Sequence, residues 1–115
     1  MTQQQLALAV AEAPHYADPS RYVSDMLTGA AFLPPGDDAA KPDLSSAAPL
    51  RAIWTAVCGS FPDLLRLCGL SQTACARRFS IPLRTVQNWA SGVNACAVYT
   101  RLMLAELSGL IPIDH

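Results

Sequence analysis

No apolar run in this sequence approaches the roughly 18 residues that a membrane-spanning helix needs. The opening segment MTQQQLALAVAEAP also lacks the basic start of a secretion signal. We therefore expect a cytoplasmic protein with no membrane partner. No segment shows the strict alternation of apolar and polar residues that indicates a half-buried strand, so the sequence predicts an all-α fold.

Residues that bind metals or perform catalysis are few and scattered. The cysteines form no Cys-x-x-Cys pair and the histidines lie near the two ends; these residues are Cys58, Cys68, Cys75, Cys96, His15 and His115. Zinc fingers and knuckles need closer ligand pairs, so we expect no metal site, and cysteines that are reduced and packed as small apolar residues. Neither a nucleophile pattern with a neighbouring base nor a phosphate-cradling glycine loop is present. The sequence therefore predicts no catalytic residue, no cofactor and no enzyme activity.

Acidic residues are also missing from residues 64–105, although the whole chain has a net charge of −1. That segment contains five arginines, whereas residues 1–63 contain seven acidic residues and three basic ones. A segment without carboxylates is typical of a surface that faces phosphates, because each carboxylate would repel a nucleic-acid backbone. The distribution of charge therefore favours a nucleic-acid partner, which the net charge alone does not indicate.

Capping residues, glycines and prolines divide the chain into helical segments. We predict helices over residues 4–13, 18–29, 45–59, 60–69, 71–79, 83–91 and 97–107. Residues 30–49 contain four prolines and no periodicity, which predicts a linker or a long irregular loop. The expected architecture is an N-terminal helical arm with a Pro-rich linker in residues 1–48, followed by a compact bundle of about five helices in residues 49–115.

Residues 72–89 are expected to form two packed helices with apolar inward faces. The predicted core residues in these two helices and in the last helix are Cys75, Ala76, Phe79, Val86, Trp89, Leu102 and Leu104. Arg77 and Arg78 point away from this core, and either solvent or a DNA backbone could face them. Arg66 and Arg101 are expected to form surface ion pairs.

The outward side of the second helix has Arg84, Gln87 and Asn88, with Leu83 at its flank. Arginine can bind guanine through two hydrogen bonds, glutamine or asparagine can bind adenine, and an apolar side chain can contact the thymine methyl group. Gln72 begins the first helix, where backbone N–H groups and a side-chain amide can hold a phosphate. This combination of residue types is suited to reading the edges of base pairs.

The segment LSQTACARRFSIPLRTVQNWASG resembles the helix-turn-helix of the Cro/C1 repressor (XRE-type) family. The family pattern falls on Leu70, Ser71, Gln72, Ala76, Ile81, Thr85, Val86, Trp89 and Gly92. The resemblance covers residues 61–108 and extends to small bacterial and phage-borne proteins in which an apolar helix follows the motif. It implies a bundle that contains a helix-turn-helix.

This resemblance also implies that the chain binds double-stranded DNA sequence-specifically, as a transcriptional regulator and a repressor. The helix that begins near Leu83 is expected to enter the major groove. The residues expected to contact DNA are Gln72, Thr73, Leu83, Arg84, Thr85, Gln87 and Asn88. Among them, Arg84 and Gln87 read bases. Because such repressors bind two half-sites, a homodimer is expected, with the apolar last helix as a candidate partner face.

Three positions depart from the family pattern. Ser80 stands where glycine is usual, so a positive φ there would strain the backbone by about 1 kcal/mol. Pro82 replaces the usual serine cap, which a first helical turn tolerates. Ala74 replaces a glutamate that would complete a capping box, which keeps negative charge away from DNA.

The acidic N-terminal residues leave a second function open. Residues 1–48 could pack on the bundle as two extra helices, cover a dimer surface or bind another protein. In the last case the chain would be a protein-interaction module on a helix-turn-helix scaffold, such as an antitoxin or a phage-encoded inhibitor. Its protein partner would then be bound through the N-terminal arm.

Overall fold

The computed structural model describes residues 1–29, 32 and 46–113. Over these residues the chain is helical and contains no strand, which confirms the predicted all-α class. The helices are α1 Gln3–Glu12, α2 Pro19–Thr28, α3 Ala47–Cys58, α4 Phe61–Cys68, α5 Gln72–Phe79, α6 Leu83–Ser91 and α7 Val98–Leu107, with a 3₁₀ turn at Ala13–His15. Most of the predicted Pro-rich linker lies outside the described residues, as does His115.

The described residues contain seven α-helices. The sequence predicts a bundle of about five helices in residues 49–115, preceded by an N-terminal helical arm, whereas all seven helices belong to the bundle. The difference arises because buried side chains of α1 and α2 belong to the same apolar cluster as those of α3 to α7. A division of the chain at residue 48 stays a prediction.

Short polar residues explain where several helices begin. Thr2 and Gln5 form a capping box at α1, with reciprocal hydrogen bonds of 3.1 and 2.8 Å between side chain and backbone. Asp18 caps α2 by accepting a hydrogen bond of 3.0 Å from the N–H two residues later. Ser60 and Ser71 cap α4 and α5 through bonds of 3.2 and 3.0 Å. These caps lie where the sequence predicts them for α2, α4 and α5.

α3 lies at the centre of the fold and contacts α1, α2, α4 and α7. Its inward residues Leu50, Ile53 and Ala56 are fully buried. Burying one Leu or Ile side chain stabilises a fold by roughly 1.5–3 kcal/mol. The alanine allows a neighbouring helix to approach closely, so α3 can be covered on several sides.

The N-terminal helices pack against α3, which is one of the arrangements that the sequence left open. Tyr22 of α2 is fully buried, and its hydroxyl donates a hydrogen bond of 2.8 Å to the carbonyl of Ala9 in α1. Burial raises the pKa of Tyr22. Trp54 of α3 donates from Nε1 to the carbonyl of Tyr16 at 3.0 Å. Deleting residues 1–46 would therefore uncover the core around α3.

None of the helices in the described part of the chain is long and apolar enough to cross a bilayer, and the longest of them has 12 residues. All four cysteines are free. Cys75 is buried as predicted, whereas Cys58 is exposed, with its thiol 3.4 Å from the carbonyl oxygen of Ala13. The expectation that every cysteine packs as an apolar residue is therefore wrong for Cys58.

Candidate nucleic-acid interface

A short turn of three residues, Ser80, Ile81 and Pro82, connects α5 to α6. Ser80 has φ 55° and ψ 41° and is the one residue other than glycine with a positive φ in the described chain. The N–H of Ile81 donates to the carbonyl of Ala76 at 2.9 Å, which closes α5. The carbonyl of Pro82 accepts hydrogen bonds of 2.9 and 3.2 Å from the first turn of α6. Ser80 therefore has the left-handed backbone conformation, which is strained for serine.

Small and apolar side chains pack α6 against α5 and α4. Cys75 and Val86 are fully buried, and Ala76 is 8% exposed. Trp89 of α6 lies edge-on to Phe61 of α4, with the ring centroids 5.4 Å apart and an angle of 66° between the ring planes. Of the predicted core residues, Phe79, Trp89 and Leu102 are half-buried and the rest are buried, namely Cys75, Ala76, Val86 and Leu104.

The seven residues predicted to contact DNA lie on two helices. The first turn of α5 contains Gln72 and Thr73, and α6 contains Leu83, Arg84, Thr85, Gln87 and Asn88. Five of them are exposed, and the other two, Thr85 and Asn88, are half-buried. Arg84 and Gln87 are three residues apart and therefore share one side of α6, away from the buried Val86.

The side chains of Arg84 and Gln87 are free to bind a ligand. Neither one has an ion pair or a side-chain hydrogen bond to any of the residues that the structure describes. The same holds for Arg77 on α5, which is exposed. Two guanidinium groups and an amide are thus available on the surface that α5 and α6 form.

Two other arginines of the acid-free segment already have partners. Arg66 pairs with Asp63, as expected of a surface ion pair. Arg78 donates from Nη2 to the carbonyl of Leu107 at 2.9 Å, and its guanidinium lies 5.5 Å from the centre of the Phe79 ring. A cation at the C-terminal end of a helix is favourable, so Arg78 stabilises the end of α7. Arg77 of α5 has no such partner among the residues that the structure describes.

The prediction of a surface ion pair for Arg101 is wrong. This side chain is half-buried, and its Nη2 donates to the carbonyl of Thr55 at 3.2 Å and to the carbonyl of Gly59. Burial lowers the pKa of Arg101. The cause of the difference is the packing of α7 against the end of α3, which brings the guanidinium to backbone carbonyls instead of to a carboxylate.

A cleft of about 350 Å³ lies at the C-terminal end of α6, and no pattern in the sequence predicts it. Its walls include Phe61, Trp89, Cys96 and Arg101, which come from three helices and a loop.

Within the described ranges, no three His, Cys, Asp or Glu side chains gather where they could hold a metal ion. The exposed surface of α5 and α6 offers guanidinium and amide groups, those of Arg77, Arg84 and Gln87.

The left-handed conformation of Ser80 leads to a stability prediction. Replacing Ser80 by Gly is expected to raise the free energy of unfolding by about 0.5–1 kcal/mol, because glycine adopts this conformation without strain although it gains entropy in the unfolded chain. Chemical denaturation monitored by circular dichroism measures the change.

A matched control exists at the end of α4, where Gly69 has φ 69°. A Cβ atom built there meets no atom within 4 Å, so Gly69→Ala introduces backbone strain without a clash. It is expected to lower the free energy of unfolding by about 1 kcal/mol. If Ser80→Gly were also destabilising, the left-handed turn would be contradicted.

Comparison with known proteins gives no guide to this surface, since no family model, no curated protein and no solved structure matches the chain.

Proposed function

We propose that the protein binds double-stranded DNA sequence-specifically through a helix-turn-helix formed by α5 and α6, and that it acts in the cytoplasm as a transcriptional repressor. The observation that supports this proposal best is the pair of exposed side chains Arg84 and Gln87 on one side of α6, which have no side-chain partner in the described part of the chain. Arginine and amide groups on one helix face can form paired hydrogen bonds to the edges of guanine and adenine in the major groove. No catalytic step, metal or cofactor is part of this function.

In the proposed complex, the first turn of α6 enters the major groove. Arg84 binds the O6 and N7 atoms of a guanine, and Gln87 binds an adenine on the same side of the helix. Leu83 is 40% exposed and contacts a thymine methyl group. These three side chains provide the discrimination between sequences.

The remaining predicted residues position the protein on the phosphate backbone. Gln72 and Thr73 are exposed on the first turn of α5, where free backbone N–H groups favour an anion. Thr85 and Asn88 are half-buried and hold phosphates at the flanks of α6. Arg77, which is exposed and free, adds a backbone contact.

The distribution of charge supports the same proposal. Residues 64–105 contain no carboxylate, and Asp63, which precedes them, is already paired with Arg66. A phosphate backbone that approaches α5 and α6 thus meets free cations. We further propose that the protein binds as a homodimer, in which case its target contains two half-sites in a palindrome.

The test is selection of binding sites from random duplex DNA at a stated salt concentration, followed by affinity measurements with variants. Arg84→Ala is expected to weaken discrimination at one base pair by about 1–3 kcal/mol, which is roughly 5- to 150-fold. Arg77→Ala is expected instead to weaken binding to all sequences and to reduce the salt dependence by about one phosphate contact.

A matched control is Arg51→Ala, which removes the same charge from an exposed position on α3. It is expected to leave affinity and sequence preference unchanged. The proposal is wrong if the wild-type protein at micromolar concentration binds no duplex at low salt. It is also wrong if Arg84→Ala and Arg51→Ala have equal effects.

A further inference from the structure

The cleft at the C-terminal end of α6 is bounded by the start of α4, the end of α6 and the loop that leads into α7. Gly92, with φ 82°, turns the chain at the end of α6, and the N–H of Asn94 donates to the carbonyl of Asn88 at 3.3 Å. This bond holds the loop beside α6, so the loop forms one wall. The volume of about 350 Å³ lies within the range of small-molecule sites, which is roughly 300–1,000 Å³.

An aromatic surface forms the apolar part of the cleft. Trp89 is half-buried, so part of its indole ring remains open, and the buried ring of Phe61 supports it edge-on from α4. Ala90 and Ala95 also line the cleft, and their small side chains leave room beside the indole. A second ring that packs against Trp89 would find an offset or edge-to-face arrangement, which aromatic pairs prefer.

One cation faces the same space. Arg101 is the one charged residue among the described residues that line the cleft. Its Nη2 donates to the carbonyls of Thr55 and Gly59, but neither Nε, which is buried, nor Nη1 has a partner in the described ranges. A donor that is removed from water without an acceptor costs free energy. An anion that accepts a hydrogen bond from this guanidinium would offset that cost.

The charge of the lining limits which ligands fit. The described lining residues contain no carboxylate, and nearby Asp63 is exposed and paired with Arg66. A cationic ligand would therefore gain no ion pair and would be repelled by Arg101. Because a single guanidinium supplies the positive charge, a ligand with one negative charge matches it, and a carboxylate is the planar acceptor that arginine binds well.

We propose that this cleft is a binding site for a small aromatic carboxylate, whose ring packs on Trp89 and whose carboxylate accepts a hydrogen bond from Arg101. The ligand enters past Ser60, Ser91 and Asn94, which are exposed and line the cleft. Their hydroxyl and amide groups provide the few polar contacts that orient a ligand in an otherwise apolar site.

Nuclear magnetic resonance of the full chain, titrated with phenylacetate, tests the proposal. The protein has two tryptophans, so their indole N–H signals report on two places. The Trp89 signal is expected to shift saturably with a dissociation constant on the order of 1 mM, as the binding energy per atom of small ligands allows. The Trp54 signal, whose N–H is bound to the carbonyl of Tyr16, is expected to stay in place.

The charge of the ligand is tested with phenylacetamide, which has the same ring and nearly the same shape but no charge. It is expected to bind at least fivefold more weakly, because a hydrogen bond between two charged groups is roughly twice as strong as a neutral one. This comparison leaves the protein unchanged, so the stability of the fold does not enter the result.

A pair of variants locates the site within the chain. Arg101 also connects α7 to α3, so the substitutions are made in the loop instead. Ala95→Glu places a carboxylate in the cleft beside Arg101 and is expected to weaken phenylacetate binding at least fivefold. Ala97→Glu makes the same change at an exposed residue that does not line the cleft, and it is expected to bind as wild type does. Circular dichroism checks that both variants fold.

Three results would each overturn the proposal. These are a Trp89 signal that shows no saturable shift up to about 20 mM phenylacetate, equal affinities for phenylacetate and phenylacetamide, and equal affinities of Ala95→Glu and Ala97→Glu. A shift of the Trp54 signal alone would place the ligand elsewhere and would overturn it as well. All measurements use protein without DNA, so they are independent of whether α5 and α6 bind DNA.

Discussion

Replacing Arg101 by Ala is expected to lower the free energy of unfolding by about 2–4 kcal/mol, which is a large part of the stability of a domain of this size. The guanidinium of Arg101 donates from α7 to the carbonyls of Thr55 and Gly59 at the end of α3. The carbonyl of Thr55 also accepts from the N–H of Gly59 at 2.9 Å, so Arg101 adds a second hydrogen bond to it and binds the carbonyl of Gly59 just beyond the end of α3. Hydrogen bonds from a charged donor contribute about 1.5–3 kcal/mol each, and the cost of burying the cation offsets part of this.

Two variants separate this effect from a general effect of charge. Arg77→Ala removes an exposed arginine without a described partner and is expected to change stability by less than about 0.5 kcal/mol. Arg101→Lys keeps the charge but lacks the planar guanidinium group that reaches two carbonyls. This variant is therefore expected to recover only part of the unfolding free energy that Arg101→Ala loses. Urea denaturation of the three variants gives the comparison. Equal stabilities for Arg101→Ala and Arg77→Ala would show that the bonds to α3 contribute nothing.

Trp89→Ala is expected to have a comparable effect, with a loss of about 2–4 kcal/mol in unfolding free energy. Trp89 is half-buried and packs against Phe61, which is 5% exposed on α4. Its truncation removes apolar contacts and the edge-to-face pair, and it leaves a void between α6 and α4. Because α6 is held by this contact, the variant is also expected to lose DNA affinity if the proposed function is right.

Trp89→Phe keeps an aromatic ring at the same place and serves as the control. It is expected to cost about 1 kcal/mol and to retain the orientation of α6. Thermal unfolding measures both variants, and affinity for a selected duplex measures the consequence for binding. A loss below about 1 kcal/mol for Trp89→Ala would contradict the role of Trp89 in holding α6 on α4.

Capping residues, the glycines and prolines that end helices, and the spacing of apolar residues determined where the helices of this protein begin and end. Ser60 and Ser71 accept the hydrogen bonds that their positions predict, and Gly92 ends α6 with φ 82°. Such features depend on residues within one or two turns, which is why local rules suffice for them. The inward positions of Cys75 and Val86 also follow from periodicity alone.

The same local rules selected the exposed residues of α6, since a residue opposite a buried one on a helix faces solvent. Arg84 and Gln87 are exposed as the spacing predicts. What local rules could not show is which of the five arginines between residues 64 and 105 would be free. That depends on partners distant in sequence: Arg78 binds the carbonyl of Leu107, and Arg101 binds that of Thr55.

The tertiary structure alone decided three features. It joined the two N-terminal helices to the core around α3, through contacts such as that between Tyr22 and Ala9. It turned Arg101 inward, and it left Tyr99, Met103 and Leu107 outside the core. The spacing of apolar residues indicates which faces of a helix can be buried. The residues that cover those faces come from segments that are distant in the sequence. In α7 the core covers one apolar face and leaves the other exposed.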